Sequence, residues 1–88
     1  MLHALKILPG YFEDILEGRK TFEVRKYDRP FMENDDIVLQ EYTSEGKYTG
    51  REWHGEIIYF LNEPEFCKKG MVILGIKPKP IETSKNNQ

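Results

Sequence analysis

Cysteine is almost absent from this chain: Cys67 stands alone, so no intramolecular disulfide can brace the fold, and a lone thiol suits a reducing compartment. No apolar run is long enough to cross a bilayer as a helix. The first residues, Met1-Leu2-His3-Ala4-Leu5-Lys6, lack the apolar centre of a secretory signal. These gaps set the expectation of a soluble, cytoplasmic protein. An excess of positive charge is also missing. The formal net charge is -2, which speaks against a general nucleic-acid coat protein but leaves room for a local basic cleft. With 88 residues there is material for one core only, expected over residues 1–80, with a polar, fraying tail at 81–88. Two histidines far apart and one cysteine give no metal-ligand spacing, so neither a metal nor a cofactor is expected.

What is present is mostly strand. Residues 2–8 alternate, with His3, Leu5 and Ile7 on one face and Ala4, Lys6 and Leu8 on the other. Pro9 suits a first helical turn, Phe12, Ile15 and Leu16 supply a helical face, and Gly18 is a natural stop. Residues 21–25 alternate again, so that Phe22 and Val24 share one face and Thr21, Glu23 and Arg25 the other. Turn residues at 33–36 lead into a strand over 37–42. Ser44-Glu45-Gly46-Lys47 reads as a hairpin tip. The longest strand is expected over 51–61 and a central one over 71–77, with a loop or short helical turn at 62–70. Strand, helix, then four strands describes an α+β chain, mainly β. The architecture expected is a small, partly closed barrel with its one N-terminal helix packed at the side.

The charges are unevenly spread. Arg19, Lys20, Arg25, Lys26 and Arg29 fall in one short stretch with only Glu23 and Asp28 against them. Glu23 and Arg25, two apart on a strand, emerge on the same face, and Lys20 at the preceding turn can swing toward it. Arginine offers planar paired donors to a phosphate or a base edge, lysine a point charge, and glutamate an acceptor for an exocyclic amine. A solvated strand face carrying a surface ion pair would show the same spacing and is the commoner case.

Gly18, Lys20, Glu23 and Arg25 match the G-x-K-x-x-E-x-R signature, and the chain here resembles the activating signal cointegrator homology domains of the PUA-like superfamily. It looks closer still to a small bacterial and phage branch of that superfamily, the DUF3850-like proteins. That similarity runs through His3, Leu5 and Lys6, through residues 20–29, through Glu41 with Tyr48-Thr49-Gly50, and through the apolar run 72–76. The resemblance implies a PUA-like β-barrel with a cleft lined by the signature residues and a role in holding RNA or a nucleotide-like ligand. Where that branch carries Gly-Asp this chain has Asp35-Asp36, which reads as a turn of slightly higher cost.

The side chains expected at the ligand are Lys20, Glu23 and Arg25, extended by Lys26 and Arg29. His3 and Tyr48 join them, His3 because the resemblance favours a cleft role and Tyr48 as a stacking surface near a hairpin tip. Lys6 projects from the face opposite His3, so both cannot line one cleft unless the strand bends. Trp53 and Tyr59 are expected in the core. The competing reading is an amidohydrolase acting on a modified nucleoside. Small enzymes of the superfamily resemble this chain at Gly18-Arg19-Lys20-Thr21. Their nucleophilic threonine falls where Glu23 stands, and the helical insertion carrying their catalytic acid is missing. Under that reading Lys20 and Glu23 would be the acid–base pair. A protein-interaction module is a third possibility, and the oligomeric state is left open.

Overall fold

A computed structural model describes residues 1–80; the tail expected at 81–88 lies outside the described residues. The elements are β1 (Leu2–Ile7), α1 (Pro9–Leu16), β2 (Phe22–Lys26), β3 (Asp36–Tyr42), β4 (Tyr48–Leu61) and β5 (Met71–Pro78). The five strands form one sheet in the order β1-β3-β4-β5-β2, with β1 parallel to β3 and the other pairings antiparallel. The sheet curls into a partly closed barrel. β4 is its middle strand, and β5 lies one place in from the β2 edge. No helix among the described residues is long and apolar enough to cross a membrane.

The barrel interior is aliphatic. Leu5 and Ile7 of β1, Ile37 and Leu39 of β3, Ile57 of β4, and Val72, Leu74 and Ile76 of β5 meet Phe12 and Ile15 of α1. Pro9 opens that helix. Gly18 ends it at φ 78°, a conformation that costs glycine nothing. The N–H of Arg19 reaches the Asp14 carbonyl and that of Gly18 the Ile15 carbonyl, the paired bonds of a Schellman stop. The chain therefore reverses within four residues and delivers Lys20 beside the start of β2.

Three details depart from the sequence pattern. Tyr59 is exposed, because a bulge between Ile57 and Tyr59 breaks the alternation that would have turned it inward. Trp53 is half-buried and packs against the core, its ring lying over Gly55, where a Cβ would stand 2.3 Å from it. In the turn before β3 the left-handed residue is Asn34, at φ 76°. Asp35 is instead buried, accepting from His3 Nε2 at 2.8 Å, from the Met32 N–H at 3.0 Å and from the N-terminal ammonium at 3.1 Å.

A second polar network fastens α1 to the sheet. Arg51 of β4 forms a fork on Glu41 of β3, Nε to Oε1 at 2.9 Å and Nη2 to Oε2 at 3.0 Å. The Thr49 hydroxyl donates to the same carboxylate at 2.6 Å. Arg51 then reaches Glu13 of α1 at 2.5 Å and covers the Phe12 ring at 4.8 Å. Hydrogen bonds from Arg51, then from Thr49, hold the Glu41 carboxyl below its usual range. Replacing Arg51 by Ala should make the α1 amides exchange several-fold faster in a hydrogen-exchange experiment while β5 is unaffected. Equal protection of α1 in the variant would show that Arg51 does not fasten the helix.

Candidate functional site

The sheet does not close. Among the described residues β1 and β2 are its two edges, and a side-chain hydrogen bond spans the seam between them: Arg25 Nη2 donates to the Lys6 carbonyl at 2.6 Å. The inward face of β2 explains why the ladder stops there. Its pairing sets Glu23 opposite Leu74 and Arg25 opposite Val72, so the two charged side chains occupy the barrel's inner face. Phe22 and Val24 point outward and are exposed. This is the reverse of what the hydrophobic effect favours for a half-buried strand.

Glu23 is 4% exposed and is gripped from both sides. Lys20 Nζ donates to Oε2 at 2.5 Å and Arg25 Nε to Oε1 at 2.9 Å. Lys20 also donates to the Phe22 carbonyl at 2.6 Å, and its ammonium lies 4.9 Å from the Phe22 ring and 5.6 Å from the Tyr11 ring. Arg25 uses Nε and Nη2, which leaves Nη1 without a protein partner among the described residues. The expected trio is therefore brought together, and with donors to spare.

Cavities open on either side of the Arg25 bridge. One, of about 460 Å³, is walled by Lys20, Glu23, Arg25, Phe22, Tyr11 and Leu8, among others. The other, of about 360 Å³, is bordered by Lys6, Arg25, Lys26 and Arg29, with Asp28 as its acid. Tyr48 and Phe31 complete that second wall. The Tyr48 ring packs edge-on against Tyr42 at 4.8 Å, and the Lys6 ammonium sits 4.5 Å from the Tyr42 ring. Lys26 and Arg29 thus stand with Tyr48 in the basic cavity, one bridge away from the Glu23 cluster.

His3 is placed elsewhere. It is buried, its ring 4.7 Å from Phe31 and its Nε2 on Asp35, so it supports the wall from behind and lines neither cavity. Burial pushes the Asp35 carboxyl up, but hydrogen bonds from His3, the N-terminus and the Met32 N–H outweigh it, and the group sits below the ordinary range. Sequence reasoning passed over Asp35, Tyr11 and the Lys6 main chain. Asp35 looked like any turn acid. Tyr11 sits beside the helix's buried face, and only the return of the chain at Gly18 sets it next to Lys20. A backbone carbonyl leaves no sequence signal.

Residues 2–76 match the family model described as a domain of unknown function, DUF3850. An uncharacterised 12.9 kDa protein of Escherichia phage P2 is 38% identical over 56 residues, which is 64% of this chain and 50% of that protein. The aligned part thus covers half of the curated relative.

Proposed function

We infer that this chain, which belongs to the DUF3850 family of domains of unknown function, holds a nucleotide or a short single-stranded stretch of nucleic acid in the seam between β1 and β2. The observation that carries the reading is the burial of Glu23 between Lys20 and Arg25 where the barrel needs an apolar side chain. Burying charge at a cavity mouth is a poor route to stability and a common one to recognition. The flanking cavities suit the two halves of a nucleotide. Tyr11 and Phe22 offer apolar walls to a base, with Glu23 and the free Nη1 of Arg25 to meet its polar edge. Lys6, Lys26 and Arg29 offer charge to phosphate, and Tyr48 a surface for a second base. The G-x-K-x-x-E-x-R resemblance to activating signal cointegrator homology domains of the PUA-like superfamily supports the same reading, with RNA in the cytoplasm as the ligand.

Titrating a labelled oligoribonucleotide by fluorescence anisotropy at two salt concentrations tests it. Only two or three cations can meet phosphates at once, so the log–log salt slope should be shallow, about −1.4 to −2.1. Arg25→Ala should weaken binding about tenfold or more, and Glu23→Gln only modestly, since the amide keeps an acceptor. Tight binding indifferent to salt would contradict a basic cleft. Turnover of an acylated cytidine, lost in both Lys20→Ala and Glu23→Gln, would replace a binding module by an amidohydrolase.

A further inference from the structure

The main chain of β2 offers the seam something its side chains do not. In the β2–β5 pairing the Ile76 N–H reaches the Thr21 carbonyl at 3.0 Å and the Tyr27 N–H the Gly70 carbonyl at 2.9 Å. Antiparallel ladders alternate, and the register is constant from Phe22↔Gly75 to Lys26↔Met71. Thr21, Glu23, Arg25 and Tyr27 therefore turn their backbone groups to β5, and Phe22, Val24 and Lys26 turn theirs to the open seam. The Lys20 bond to the Phe22 carbonyl shows that direction directly. On the facing edge, the Asp36 N–H bonds the Met1 carbonyl, which leaves Ala4 and Lys6 facing the seam, as the Arg25 bond to the Lys6 carbonyl also shows.

Val24 is thus a residue whose side chain points out to solvent while its N–H and C=O point into the larger cavity, with no protein partner among the described residues. An extended residue presents its N–H and C=O side by side in one plane. We propose that Val24 reads the base by main-chain contact: its N–H donates to, and its carbonyl accepts from, a nucleobase edge that carries an acceptor beside a donor. Glu23 and Arg25 flank that edge. This rests on the nucleotide reading of the same cleft and names the contact that orients the base. A peptide strand added to the β2 edge would use the same groups. The slot, however, is short, bounded by Leu8 and Tyr11 at one end and bridged by Arg25 at the other. At about 460 Å³ it fits a heterocycle better than an extended chain, and the cations around it suit an attached phosphate.

The contact has an unusual property: it can be removed without touching the ladder. Proline is tolerated in an edge strand where its missing N–H faces outward, so Val24→Pro deletes the seam donor and leaves the bonds to β5 in place. Val24→Ala alters only a solvent-facing side chain. The probes are the four ribonucleoside 5′-monophosphates and a hexaribonucleotide, followed by amide NMR and calorimetry. The expected result is that the Val24 amide signal moves on saturation with the best-bound monophosphate. Affinity should fall about tenfold or more in Val24→Pro and by a much smaller factor in Val24→Ala, which keeps the N–H; an equal loss in both variants would overturn the main-chain contact. If monophosphates or the oligonucleotide bind and the Val24 signal stays still, main-chain reading is overturned and the nucleotide reading survives. If Val24→Pro does not fold, the amide shift in the parent protein decides alone. If none of the probes binds, both readings fall. A short extended peptide that binds and moves the Val24 amide when none of the nucleotides does would assign the slot to strand addition instead.

Discussion

Replacing the whole charged trio, Lys20→Met with Glu23→Leu and Arg25→Met, is expected to leave the melting temperature unchanged or higher while abolishing nucleotide binding. Glu23 sits opposite Leu74 at 4% exposure, so its carboxylate has lost most of its hydration. The two cations restore that loss through bonds of 2.5 and 2.9 Å. Such buried clusters commonly do no better than well-packed apolar side chains of similar volume, and their replacement is neutral or stabilising by about 1–4 kcal/mol. The Lys20 and Arg25 side chains remain 17% and 22% exposed, so part of their hydration survives, and a gain at the lower end, about 1 kcal/mol, is expected. Glu23→Ala alone should behave oppositely. It strands two cations beside one another and removes packing at once, for a loss of about 1–3 kcal/mol. Urea unfolding of both variants beside the parent distinguishes the cases. A triple variant that lost about 3 kcal/mol or more would make the trio a structural brace and remove the main argument for a ligand.

The residues that predicted the site and those that concealed it share one strand. Alternation set Glu23 and Arg25 on one face, and the structure agrees. Alternation does not say which face is inside, and on apolarity alone Phe22 and Val24 would have been placed there. The inversion follows from where β2 lies: it is the sheet's last strand, its inner face looks across an open seam, and the Arg25 bridge stands in for a missing ladder. The helix stop at Gly18 was legible because the Schellman geometry depends on one residue and its near neighbours. The pairings of Asp35 with His3 and of Arg51 with Glu41 and Glu13 were not, because they join residues far apart in sequence. Tyr59 shows a third kind of limit. A bulge is a mismatch between two strands and cannot be seen in either one.

Asp35→Ala is expected to cost more stability than any single change in the cleft, about 3 kcal/mol. The carboxylate is the partner of a histidine 1% exposed and of the Met32 N–H that closes the turn into β3. Deleting it leaves both groups buried or half-buried with nothing to bond. The bond to the largely exposed N-terminal ammonium adds little. Asp35→Asn keeps one acceptor oxygen and should lose roughly half as much. The pH dependence has a definite sign. The Asp35 carboxyl is held below its ordinary value of 3.8, so its stabilisation is complete above about pH 5 and fades as the pH falls through the lowered value in the folded protein. Glu41 is displaced in the same direction, and the two together should make the folded state yield steeply to acid. In Asp35→Asn one of the two contributions is gone, so urea midpoints measured from about pH 6 down to pH 2 should fall less steeply than in the parent. The change should also reach the ligand. His3 packs on Phe31, Phe31 forms part of the basic cavity, and Arg29 lies 5.8 Å from that ring. A loosened His3 should therefore weaken oligonucleotide binding several-fold with no change at the Glu23 trio. An Asp35→Ala protein within about 1 kcal/mol of the parent, or an Asp35→Asn protein with an unaltered acid limb, would show that the His3–Asp35 pair is a bystander to both stability and the cavity wall.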